Sequence, residues 1–308
     1  MSYFSTRGSA SVTASRAILA GIADDGGLYV PSMFPQIDDA TLQSLSDMKY
    51  VDRAVKILSL YLEDYTLEEV KTCVTDAYSG KFDVPEIAPV VELDKRTHVL
   101  ELFHGPTLAF KDMALQLLPH LTALSARKNG ENREVSILVA TSGDTGKAAL
   151  EGFRDVPETG ILVFYPRDGV SDVQKLQMQS QAGANVSVCA VEGNFDDAQS
   201  GGKTMFSDER LKAKLKEAGF QFSSANSINI GRLVPQVVYY VYSYVTMVKR
   251  GDIQEGDKIN VVVPTGNFGD ILAGYWAKLM GLPVRRLICA SNSNRILTDF
   301  FTRSEERR

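Results

Sequence analysis

Val135-Ser-Ile-Leu-Val-Ala-Thr-Ser-Gly-Asp-Thr-Gly-Lys147 sets the architecture of this chain. Residues 135–140 form a short apolar run, too short for a helix and bounded by a glycine-rich turn, which is the pattern of a buried strand. The run stops at Thr141-Ser-Gly-Asp-Thr-Gly146, and the spacing predicts a helix from Lys147. The same unit recurs downstream. Ile161-Leu-Val-Phe-Tyr ends at Pro166 before a polar helix over 172–182, and Asn185-Val-Ser-Val-Cys-Ala-Val precedes a helix after Asp196. Asn260-Val-Val-Val ends at Pro264-Thr-Gly-Asn-Phe-Gly269, with a helix over 270–280, and Arg286-Leu-Ile-Cys-Ala is a last strand. Buried strands alternating with helices define an α/β class with mainly parallel sheets flanked by helices.

Upstream the pattern differs. Residues 38–45 and 50–62 carry apolar positions at helical spacing, and Thr66-Leu-Glu-Glu is a capping-box opening. The expected organisation is therefore a mostly helical region over 1–92, a segment over 93–134, a small α/β unit over 135–232 and a larger one over 233–308. A length of 308 residues suits two domains.

Composition excludes several function classes. Lys and Arg number 33 against 38 Asp and Glu, so no basic field exists for nucleic acid. The apolar stretch from Leu233 to Val248 contains Pro235, Gln236 and four tyrosines and is too short and polar to span a bilayer. Residues 1–7 carry no apolar core of a signal peptide. Cys73, Cys189 and Cys289 fit neither a disulfide framework nor a zinc site, and a reduced, cytoplasmic setting is expected with no metal. Tyr239, Tyr240, Tyr242 and Tyr244 suit packing rather than cofactor stacking, and leave a monomer or a homodimer open.

Ligands of open α/β sheets bind beyond the carboxyl ends of the strands, where both glycine-bearing loops fall. Gly266-Asn-Phe-Gly269 can either expose backbone amides to a phosphate or form a plain βα turn. Thr141–Gly146 is not a Walker loop, because the required first glycine and the hydroxyl after the lysine are replaced by Thr141 and Ala148. It suits a helix N-cap or a small-carboxylate site. Ser224-Ala-Asn-Ser227-Ile-Asn229-Ile-Gly-Arg232 offers hydroxyl, amide and guanidinium donors for a phosphate, or a solvated loop with a cap. Finally, Leu100-Glu-Leu-Phe-His-Gly-Pro-Thr-Leu-Ala-Phe-Lys111-Asp112 places one lysine among apolar residues after a turn. Such an amine either snorkels to water or is desolvated into a nucleophile. His104 beside it is open to two roles, substrate orientation or a satisfied buried imidazole.

Together these segments resemble the threonine synthase family, pyridoxal 5'-phosphate enzymes of fold type II. The resemblance runs in order through Ser5–Gly8, Gly21–Pro31, Glu101–Asp112, Ala140–Gly146, Asn226–Asn229 with Arg232, and Val263–Gly274. It implies conversion of O-phospho-L-homoserine and water to L-threonine and phosphate. Residue by residue, it implies that Lys111 holds the cofactor as a Schiff base and shuttles protons. Gly266, Asn267, Phe268 and Gly269 would hold the cofactor phosphate, with Asp144 near its ring hydroxyl. Thr141, Ser142 and Thr145 would take the substrate carboxylate, and Ser227, Asn229 and Arg232 the substrate phosphate. Two departures stand out: Ile230-Gly231 replaces the family's usual Trp-Ala, and family members continue well beyond position 308. The motifs do not exclude a related phospholyase that releases 2-oxobutyrate; an inactive relative is favoured by the missing C-terminal part and opposed by Lys111, Asp144 and Gly266–Gly269.

Overall fold

The computed structural model describes all residues except Asn226, Ile228, Thr265 and 304–308. The chain opens with a small antiparallel sheet, β1 (Tyr3–Ser5), β2 (Ser11–Val12) and β3 (Tyr29–Pro31), ordered β2-β1-β3, with α1 (Ala14–Ala20) between β2 and β3. This sheet is absent from the sequence-based expectation, because strands of two or three residues are too short to show an alternating period. Helices α2 (Asp39–Leu45), α3 (Tyr50–Ser59) and α4 (Leu67–Tyr78) follow. The Thr66–Glu69 capping box is present at the start of α4, with each side chain bonded to the other's backbone amide. Next come a hairpin of β4 (Val90–Asp94) and β5 (Thr97–Leu100), then α5 (Asp112–Leu115) and α6 (Leu118–Lys128).

The α/β unit then runs β6 (Glu134–Ala140), α7 (Asp144–Phe153), β7 (Thr159–Pro166), α8 (Asp172–Gln179), β8 (Val186–Val191), α9 (Phe195–Ser207), α10 (Glu209–Glu217) and β9 (Phe220–Ser223). Its four strands are all parallel, in the order β8-β7-β6-β9. Two expectations are corrected here. The helix after β6 begins at Asp144, three residues before Lys147, because Gly146 serves close packing rather than a turn. A Cβ on Gly146 would lie 2.5 Å from the Thr141 methyl and 2.8 Å from Met178 Sδ. The helix after β7 ends at Gln179, before Ala182.

The remainder holds α11 (Ile230–Arg250), β10 (Ile259–Pro264), α12 (Gly269–Leu279), β11 (Val284–Ala290) and α13 (Ile296–Arg303), with β10 and β11 paired in parallel. The 21-residue α11 is buried along most of its length. Tyr239, Tyr240, Tyr242 and Tyr244 all lie in the chain's own core, so the dimer surface their number suggested is not made by them. Burying each such apolar side chain contributes about 1.5–3 kcal/mol, which makes α11 the spine of the fold. Helices α7 and α5 lie in close contact. A Cβ on Gly152 would sit 2.0 Å from the Leu115 carbonyl oxygen. That approach seats the helix after the first loop directly on the helix that follows Lys111. Among the described residues, no helix is long and apolar enough to cross a membrane.

Candidate active site

Lys111 owes its position to its neighbour. The Asp112 carboxylate is fully buried and accepts from Thr107 N (2.8 Å) and Thr107 Oγ1 (2.7 Å), closing the turn that precedes α5. Gly105 gives it room, since a Cβ there would lie 2.6 Å from the Asp112 carboxylate. The Lys111 side chain, only 20% exposed, then projects into a cavity of about 1290 Å³. Its ammonium sits 4.6 Å above the Phe110 ring and 3.9 Å from Asp144 Oδ2. Burial pushes the amine's pKa down, Asp144 opposes that shift, the Arg232 charge adds to it, and Asp270 opposes it again. A lowered amine pKa is what nucleophilic and proton-transfer roles require.

Both glycine-bearing loops border the same cavity. In the first, Thr141 Oγ1 accepts from the Gly143 and Gly146 amides and donates to the Gly143 carbonyl, all at 3.1 Å. This hydroxyl is used up in shaping the loop, which leaves Ser142, Thr145 and the first amides of α7 for a ligand. Asp144, half-exposed, accepts from Gln174 Nε2 at 2.8 Å on its other oxygen. In the second loop Gly266 (φ 45°) and Phe268 (φ 67°) both adopt left-handed backbone ahead of α12. Backbone amides in such a turn, joined to a helix N-terminus, form an anion-accepting concavity.

The buried Arg232 guanidinium donates from Nη1 to the Ala225 carbonyl at 2.9 Å, while its buried Nε has no hydrogen-bond partner among the described residues. Burial lowers its pKa to about 10, still far above neutral. The cavity wall as a whole carries six basic side chains (Arg16, Lys111, Arg133, Lys203, Lys212 and Arg232) against Asp24, Asp144 and Asp270. An acidic chain with a basic cavity is matched to an anionic ligand.

Most of the residues singled out from sequence meet here: Lys111, Thr141, Ser142, Asp144, Thr145, Ser227, Arg232, Gly266, Asn267 and Gly269 all line the cavity. Asn229 and Phe268 are not in its wall. The Asn229 amide donates to the Ile18 and Ser224 carbonyls while its oxygen accepts from Gly231 N, so it caps α11 and ties it to α1. Phe268 contributes backbone shape rather than surface. Asn226, Ile228 and Thr265, which belong to the same two motifs, lie outside the described residues. His104 takes the second of its two roles: it bonds Asp83 at 2.7 Å and Glu101 at 2.8 Å, and those contacts, foremost Glu101, raise its pKa. Other cavity residues were given no role from sequence. Gln236 carries no local signature, Asp270 directly follows the Gly266–Gly269 motif, and Gln174 stands three residues after Ser171, which is a capping-box spacing.

Fold and site together define an α/β protein that presents one desolvated amine and a buried guanidinium in an anion-accepting cavity. Comparison with known proteins sharpens this. Residues 2–78 match the family model described as Threonine synthase N terminus. The curated threonine synthase of Schizosaccharomyces pombe is 41% identical over 310 residues, spanning 98% of this chain and 59% of its own length. The solved structure of pyridoxal-phosphate-bound threonine synthase from Brucella melitensis superposes with a TM-score of 0.89 at 40% identity, over 98% of this chain and 63% of that one. Threonine synthase from Escherichia coli gives 0.85 at 33% identity, over all of this chain and 68% of that one. The chain belongs to the threonine synthase family. It spans about three fifths of the length of the S. pombe relative.

Proposed function

We propose that this chain binds pyridoxal 5'-phosphate through Lys111 and takes part in converting O-phospho-L-homoserine and water to L-threonine and phosphate. The observation that carries the reading is the presence, in one cavity, of the desolvated Lys111 amine and the left-handed Gly266–Gly269 turn. Those are the two attachments an aldehyde-bearing phosphate ester needs: a nucleophilic amine and a nest of amides. The residues fit that cofactor, and Asp144, 3.9 Å from the amine, would also meet its ring hydroxyl.

When bound, the cofactor supplies an electron sink that makes protons on the substrate's Cα and Cβ removable. Lys111 Nζ is the group placed to take and return them, since its lowered pKa lets it act as base and acid near neutrality. The Arg232 guanidinium, short of an acceptor at Nε, would take the phosphate of the substrate with Ser227. Ser142, Thr145 and the amides opening α7 would take its carboxylate. Residues 135–232 hold the four-stranded sheet but for Glu134, the first residue of β6, and carry the carboxylate loop, so we read them as the unit that closes over substrate and excludes water. A cytoplasmic setting belongs to the same reading, supported by a chain with only three, widely spaced cysteines, Cys73, Cys189 and Cys289.

The test is the visible absorption spectrum of the purified chain with and without pyridoxal 5'-phosphate, beside Lys111→Ala. A band of covalently held cofactor that the variant lacks is expected; no band, or one equal in the variant, would overturn the cofactor assignment. Incubation with O-phospho-L-homoserine then separates products, because threonine supports the synthase reading and 2-oxobutyrate the phospholyase.

A further inference from the structure

The carboxylate beside Lys111 does not stand alone. Gln174, on α8, donates from Nε2 to Asp144 Oδ1 at 2.8 Å, while Asp144 Oδ2 faces Lys111 Nζ at 3.9 Å. The orientation of the Gln174 amide is settled by a second set of contacts. Its Oε1 accepts from Ser171 Oγ (3.0 Å) and Ser171 N (3.3 Å), and Ser171 Oγ in turn accepts from Gln174 N (3.3 Å). This is the capping box of α8. With its oxygen committed to the cap, the amide can present only its NH2 to Asp144. The reverse orientation would place oxygen against carboxylate oxygen and leave two donors of the cap unmet. Gly143 completes the arrangement: a Cβ there would lie 2.6 Å from Gln174 Nε2, so the amide can lie against this loop only because position 143 has no side chain.

We infer that Gln174 is a positioning residue for the Lys111 amine, acting by holding the Asp144 carboxylate in place through the α8 capping box. A half-exposed aspartate at the mouth of a cavity is otherwise free to turn to solvent. The donor from Gln174 fixes one oxygen, and the other is thereby kept toward Nζ. The remaining charges that act on Lys111 come from other elements, Arg232 on α11 and Asp270 on α12, and neither is bonded to Gln174. The chain of contacts also links α8 to the amine, so a shift of α8 would alter the charge next to Nζ without any movement of Lys111. The inference rests on the reading of Lys111 as the functional amine, but its measurement does not depend on cofactor or turnover.

The experiment is competitive acylation of the full chain with acetic anhydride across pH, after any pyridoxal 5'-phosphate has been removed with hydroxylamine so that the Lys111 amine is free. Peptide mass spectrometry follows Lys111, with surface Lys56 as internal reference. Gln174→Leu removes the donor and keeps the volume, so Asp144 is released and the Lys111 midpoint falls by about half a pH unit or more. Gln174→Glu is isosteric but adds negative charge, so the midpoint rises instead. Ser171→Ala frees the amide and gives a smaller fall. Opposite shifts for Leu and Glu are not produced by general loosening of the loop. Midpoints unchanged in both, or moved in the same direction, would overturn the inference. Should the Leu variant fail to fold, Ser171→Ala decides alone, because it leaves every charge in place: a fall supports the inference and an unchanged midpoint overturns it. A Lys111 that labels correctly in every variant while the purified chain shows no cofactor band would fault the functional reading and leave the positioning role intact.

Discussion

Among the described residues, the loop between β6 and α7 is held by side chains, whereas the loop between β10 and α12 is marked by its backbone conformation. Both follow a parallel strand, both precede a helix, and both border the cavity that contains Lys111. In the first, Thr141 Oγ1 serves three backbone groups, Gln174 pins Asp144, and Gly152 lets α7 rest on the Leu115 carbonyl. In the second, the path is set by left-handed residues at 266 and 268, and a Cβ on Gly266 would meet nothing within 4 Å. The contrast suits the two ligands proposed for them. A substrate carboxylate that arrives and leaves at every turnover needs a shaped, rigid receptor, while a resident phosphate can itself supply the bonds that an open amide nest lacks.

The largest effect expected from this contrast is at the seat of α7. Gly152→Ala puts a Cβ 2.0 Å from a backbone oxygen, which no side-chain rotation relieves. A loss of about 3 kcal/mol in urea unfolding is expected, at the upper end for overpacking. A loss below about 0.5 kcal/mol would show that α7 and α5 slide freely, and that the first loop is not rigid. Thr141→Val comes next. It keeps the shape but strips the Gly143 amide of its acceptor and weakens that of Gly146, which retains a bond to the Gly143 carbonyl at 3.2 Å. About 2 kcal/mol is expected by the same measurement.

How far each loop could be read from sequence follows from the same difference. Thr141-Ser-Gly-Asp-Thr-Gly146 shows its construction, because hydroxyls and glycines at the end of an apolar run are the parts a hydrogen-bonded turn is made from. Its helix start was still misplaced, since nothing local distinguishes a turn glycine from Gly146, which is small because Thr141 and Met178 crowd it. Phe268 gives no sign of its left-handed backbone, as aromatic residues are not the usual occupants of that region. The contiguous apolar flanks single out Lys111 but leave snorkelling open, and its role as an amine nucleophile comes with the resemblance of the surrounding segments. Gln174 and Gln236 reach the cavity only through tertiary folding. The N-terminal sheet was hidden because its strands are too short to show a period, whereas the packing role of the α11 tyrosines was legible and only their division between core and interface was not.

Two smaller substitutions probe the second loop. Gly266→Ala meets no steric obstacle, so its cost is only that of a left-handed alanine, about 1 kcal/mol. A loss comparable to that of Thr141→Val would mean that this loop, too, is tightly constrained.

Phe268 allows the sharpest distinction with the smallest expected change. Its ring lies 5.9 Å from that of Phe301, so the left-handed conformation could be imposed by ring packing rather than by the turn itself. Phe268→Asn separates the two. Asparagine tolerates left-handed backbone better than phenylalanine, which offsets part of the lost contact. Stability should therefore change by less than about 1 kcal/mol. If the turn holds itself, the amides stay in place and affinity for pyridoxal 5'-phosphate, titrated by absorbance, stays within a few-fold of the parent chain. A drop of tenfold or more with stability preserved would mean that the Phe268–Phe301 contact sets the loop. The second loop would then be held by a side chain after all, and the contrast with Thr141 would become one of distance: a local hydroxyl in one case, a ring from a remote helix in the other.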